Sequence, residues 1–104
     1  MNRICYETRE AVYRTAIEKY GRDAQVLMAI EEMSELTKEL CKEFRGKLTL
    51  KDLADEVADV SIMLEQIRLM FDLNDLVCER MDVKIERLAA RISFNRPEAK
   101  NDEV

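Results

Sequence analysis

The chain has no histidine and no tryptophan, and only one proline and two glycines among its 104 residues. Without histidine the usual zinc spacings cannot be built. The three cysteines, Cys5, Cys41 and Cys78, are odd in number and widely spaced, so a disulfide framework is also excluded. They read as reduced thiols serving as small packing residues, which fits a cytoplasmic protein. With so few turn residues and no β-branched runs, a sheet is disfavoured. No stretch reaches about 18 consecutive apolar residues. The opening MNRICYETRE lacks the apolar region of a signal peptide, so the expectation is a chain neither exported nor membrane-spanning. A net charge of -5 repels a phosphate backbone and argues against a nucleic-acid polymer as partner. With three Tyr and three Phe, no motif marks a base pocket.

What is present is apolar residues at 47% and charged residues at 38%, the balance of an all-α helical bundle with solvated faces. The length allows one domain with a single modest core, expected over residues 1–94, and dimerisation would enlarge that core. Gly21 predicts the end of a first helix over about residues 3–20, and a second runs from Asp23 to Phe44, stopping at Arg45-Gly46. Thr49 has the character of an N-cap, with Asp52 three residues on and Leu48 and Leu53 as a hydrophobic staple. The third helix then extends to Met70. Asp72 or Asn74 can cap a fourth, ending near Ile92, and residues 95–104 read as a polar tail. On the first helix Tyr6, Tyr13, Ile17 and Tyr20 form a stripe that suits a core or a subunit seam.

The acids of the middle helices are unevenly placed. At about 100° per residue, Ser61, Glu65, Arg68 and Asp72 form a solvated face of the third helix, while Glu56 and Asp59 fall nearly opposite, beside Val60, Met63, Ile67 and Met70. A carboxylate on an apolar side has to be neutralised, paired or bound to a metal. On the second helix the apolar stripe is Val26, Ile30, Met33, Leu40 and Phe44, with Glu31, Glu35, Lys38 and Lys42 away from it. Glu32 sits at the margin, between Met28 and Leu36, one turn from Glu35. Each close pair among Glu32, Glu35, Glu56 and Asp59 would repel by about 3 kcal/mol at about 5 Å and an effective dielectric near 20. A divalent cation removes the conflict, and an all-carboxylate donor set favours hard Mg²⁺, with Mn²⁺ a possible substitute, over zinc. Di-iron bundle sites pair Glu with His, so iron is disfavoured.

The fourth helix carries an apolar stripe of Val77, Met81, Ile85, Leu88 and Ile92, expected to be buried. On one flank run Arg80, Lys84, Arg87 and Arg91, and on the other Glu79, Asp82 and Glu86. Like charges at these spacings weaken a helix slightly. Two readings answer that cost: ion pairs with acids of neighbouring helices, or phosphate oxygens held by Lys84 and Arg87 first.

Together these features resemble the MazG-like, all-alpha nucleoside triphosphate pyrophosphohydrolases, whose signature is EExxE, a variable spacer and ExxD. Here the two halves are Glu31-Glu32-Met33-Ser34-Glu35 and Glu56-Val57-Ala58-Asp59, 20 residues apart. Over roughly residues 19–92, KYGRDAQVLMAIEEMSELTKEL, RGKLTLKDLADEVADVSIMLEQI and VKIERLAARI share the family's look. The resemblance implies a four-helix bundle that forms a homodimer or homotetramer. It implies Glu32, Glu35, Glu56 and Asp59 as Mg²⁺ ligands and Glu31 as a supporting acid that positions or activates water. The implied reaction splits a nucleoside triphosphate between its α and β phosphates into a monophosphate and pyrophosphate. The chain departs from the family at Glu86, where an asparagine or a basic residue is frequent. Two alternatives stand beside this reading: the same fold acting on phosphoribosyl-ATP or a pyrimidine deoxynucleotide, and a non-catalytic helical module for self-association.

Overall fold

In the computed structural model, which describes residues 3–95 and 97, every regular element is helical. The order is α1 (Tyr6–Tyr20), α2 (Arg22–Cys41), a 3-10 turn (Lys42–Arg45), α3 (Leu50–Met70) and α4 (Asn74–Arg91). The four predicted helices are all present, and among the described residues there is no strand. No described helix is long and apolar enough to cross a membrane. The polar tail lies outside the described residues apart from Asn95 and Pro97.

Local chemistry sets the helix ends. Gly21, at φ 93°, breaks the winding between α1 and α2 in a region that L side chains rarely adopt, and its N–H donates back to Ile17 O at 2.9 Å. Thr49 caps α3 as expected, its hydroxyl accepting from the Asp52 N–H at 3.2 Å. The second helix is shorter than the reading to Phe44, because its last turn tightens to 3-10 geometry. Gly46 closes that turn in the left-handed region, with the Gly46 N–H on Glu43 O and the Lys47 N–H on Lys42 O. Asp72, at φ 52°, ends α3 in the same manner, with Leu73 N–H on Arg68 O at 2.8 Å. It therefore stops one helix, and the next opens at Asn74.

The described residues fall into two compact units, one up to Leu73 and one from Asn74. In the first, α2 and α3 form the principal interface and α1 packs against both. Its buried apolar side chains are Tyr13, Ala29, Val60 and Met63. Three polar residues, Gln25, Glu39 and Gln66, are buried with them. The face that α2 turns inward is Gln25, Ala29, Glu32, Leu36 and Glu39, all buried or half-buried. Ile30, Met33, Leu40 and Phe44 of the expected stripe are instead exposed. Apolar residues occur on both sides of α2, so periodicity alone could not choose between them. The inward face is workable because Ala29 allows close approach and the Gln25 amide donates to Gln66 Oε1 at 2.7 Å, satisfying both buried side chains.

Three further expectations are revised. Glu65 is part-buried at the α1–α3 contact, where it accepts from Tyr13 Oη at 3.1 Å and Arg9 Nε at 3.3 Å. The Tyr13 hydroxyl has its pKa raised, by burial first and then by the Glu65 charge. Only this middle tyrosine enters the core, since Tyr6 and Tyr20 are exposed and lie under Arg9 and Lys19. All three cysteines are exposed and free of disulfides, so they are not packing residues.

The second unit is built on α4, none of whose residues is buried. Its stripe is amphipathic as predicted, but Met81, Ile85, Leu88 and Ile92 are each at least half exposed, at 50%, 55%, 50% and 63%. A single helix cannot cover its own apolar side.

Candidate metal centre

Acids from α2 and α3 meet on the inward side of both helices. One carboxylate oxygen from each of Glu32, Glu56 and Asp59 lies within 4.8 Å of the others. Glu56 and Asp59 share a side of α3 because they are three residues apart, and Glu32 occupies the facing position of α2. Glu32 and Glu56 are half-buried and Asp59 is exposed, so the cluster opens to solvent on the Asp59 side.

The electrostatics register the crowding. The Glu32 carboxyl is pushed above the ordinary carboxylate range by burial, then by the charges of Asp59 and Glu56. Glu56 is raised in the same way, by burial first, then by Asp59, Glu35 and Glu39. Oε2 of Glu56 is shut off from solvent without a hydrogen-bond partner among the described residues. A buried acceptor of this kind calls for a water or an ion. An oxygen-only donor set with one orphaned buried oxygen therefore fits a hard divalent cation of the Mg²⁺ type.

The remaining predicted residues have different surroundings. Glu35, one turn beyond Glu32, stands outside the close group, with its carboxylate 3.5 Å from Lys38 Nζ and its side chain 53% exposed. Its charge still acts on both Glu32 and Glu56. Glu31 is exposed on α2. Arg80, Lys84, Arg87 and Arg91 are exposed on α4, in the second unit.

Sequence reasoning missed Glu39. It is 6% exposed, with Oε2 bound by Lys42 Nζ at 3.0 Å and Oε1 buried without a hydrogen-bond partner among the described residues. Its position seven residues after Glu32, on the same side of α2, was the available signal. No known protein family, no curated protein and no solved structure matches the chain.

Proposed function

We propose that this protein is a Mg²⁺-dependent nucleoside triphosphate pyrophosphohydrolase of the MazG-like type, cleaving between the α and β phosphates to give a nucleoside monophosphate and pyrophosphate. The observation that carries the reading is the meeting of Glu32, Glu56 and Asp59 within 4.8 Å, since these come from both halves of the EExxE and ExxD signature. Glu32, Glu56 and Asp59 would hold the metal, with Glu35 joining them by exchanging its Lys38 contact for the ion. When bound, the metal supplies charge stabilisation to the phosphoryl oxygens. Glu31 is the acid that orients the attacking water and takes its proton. The water oxygen replaces the bridging oxygen, which leaves with pyrophosphate. Arg80, Lys84, Arg87 and Arg91 are the groups to bind the phosphate oxygens, Lys84 and Arg87 foremost.

The exposed apolar stripe of α4 and the exposed Ile30, Met33 and Leu40 of α2 support assembly as a homodimer or homotetramer. The same exposed stripes favour the second reading, a non-catalytic self-association module. Measuring Mg²⁺-dependent pyrophosphate release over a panel of ribo- and deoxyribonucleoside triphosphates, phosphoribosyl-ATP included, separates the two. Release that requires Mg²⁺ supports the enzyme and ranks its substrates. No release from any member of the panel, with the chain folded and self-associated, leaves the module.

A further inference from the structure

Along α4 the exposed apolar residues Met81, Ile85, Leu88 and Ile92 are spaced four, three and four apart, the repeat of a coiled-coil seam. That spacing fixes the register, with Ile85 and Ile92 at a positions and Met81 and Leu88 at d positions. β-branched residues at a with leucine at d favour a parallel, two-stranded pair. The flanks of the seam are divided by charge. Lys84 and Arg91, with Arg80 and Arg87 behind them, border one side, and Asp82, with Asp75, Glu79 and Glu86, borders the other. None of the four cations has an ion-pair partner among the described residues.

This division of charge selects a direction. When two identical helices meet face to face about a two-fold axis, a parallel pair sets the basic flank of each along the acidic flank of the other. An antiparallel pair sets basic against basic and acidic against acidic, so both flanks repel. Flank charges set orientation and partner choice at such seams even where each exposed pair is weak by itself. We propose that the apolar face of α4 is where a second copy of this chain docks, α4 against α4 in parallel, the basic flank of one copy along the acidic flank of the other. A second copy is the occupant because α4 itself supplies the matching stripe and the opposite charges. Flank side chains border the seam and stay open to solvent, so Lys84 and Arg87 remain available to phosphate oxygens. The inference rests on the assembly part of the proposed function and is independent of metal and nucleotide.

Cys78, three residues before Met81, falls at the preceding a position and is exposed, in no disulfide. In the parallel pair the two Cys78 residues face each other, within the roughly 6 Å between Cα atoms that a disulfide spans. In an antiparallel pair centred on Ile85 they stand about 20 Å apart, twice seven residues at about 1.5 Å each. The test uses the full chain carrying Cys5→Ser and Cys41→Ser, oxidised in air with copper phenanthroline over a dilution series, with light scattering to follow the oligomeric state. A disulfide-linked dimer through Cys78 is expected, its yield falling on dilution as the non-covalent dimer dissociates. Ile85→Asp should weaken the dimer about 100-fold or more with circular dichroism unchanged. Lys84→Glu combined with Arg91→Glu should weaken it about ten-fold, and with the cross-link it decides the matter where Ile85→Asp does not fold. A dimer that forms no Cys78 cross-link, or that survives Ile85→Asp, overturns the inference and leaves assembly through another face. Equal or tighter association on charge reversal overturns the parallel direction. A chain that stays monomeric at every concentration overturns assembly itself, an outcome distinct from failure at α4 alone.

Discussion

Glu32 and Glu56 carry carboxyls raised above their ordinary range, by burial first and then by neighbouring acids. A carboxyl raised on folding stabilises the native state while it keeps its proton, and that contribution is lost as pH rises through the raised value. In EDTA, these two groups should therefore lower the melting temperature as pH climbs from about 4 towards neutrality, above the ordinary Glu range. Glu32→Gln should flatten the slope, and an equal slope in that variant would remove Glu32 from the account. At the same scale, Glu35→Gln or Asp59→Asn is expected to cut pyrophosphate release by about 100-fold or more, the loss of several kcal/mol of charge stabilisation, with circular dichroism unchanged. Glu56 was legible beforehand because it stood on the apolar side of its helix. Glu39 was not, since a fifth acid on a helix, with Lys38 beside it and Lys42 just beyond, looks like any charged surface until burial is known.

For the helices as elements, the stops and caps are strictly local, and there the reading of the chain and the structure agree. Thr49, Gly21 and Gly46 act through their own backbone and near neighbours. Choosing the inward face of α2 is different, because it depends on what α3 presents to it. Gln25 and Gln66 are paired 41 residues apart, at 2.7 Å, and no pattern within either helix predicts a buried amide there. Gln66→Leu should strip Gln25 of its partner and cost about 1–3 kcal/mol in urea denaturation. Replacing both residues by leucine should recover a large part of that loss. A single variant as stable as the unmodified chain would show the pair to be dispensable.

Across the whole molecule, metal binding and stability are linked. If the acid cluster binds Mg²⁺ only when folded, a concentration near 100 times the dissociation constant should stabilise the protein by about 2.7 kcal/mol, seen as a higher melting temperature that EDTA reverses. Identical melts in EDTA and Mg²⁺ would point to self-association without metal chemistry. The basic flank of α4 gives a second prediction at this scale. Lys84→Ala should weaken nucleotide binding several-fold while leaving Mg²⁺ binding untouched, whereas equal nucleotide affinity would return Lys84 to a surface ion pair.

By itself the sequence determined the helical class, the positions of the helix boundaries to within a turn, and the expectation that Glu32, Glu35, Glu56 and Asp59 want a common cation, of which the structure brings Glu32, Glu56 and Asp59 together. Those properties follow from composition, capping chemistry and side-chain spacing along one helix, all short-range. Only the tertiary structure decided which side of α2 is buried, that Glu65 serves α1 and not solvent, and that Glu39 is enclosed with an oxygen to spare. Burial is a property of two surfaces meeting, and neither surface carries the whole of that information.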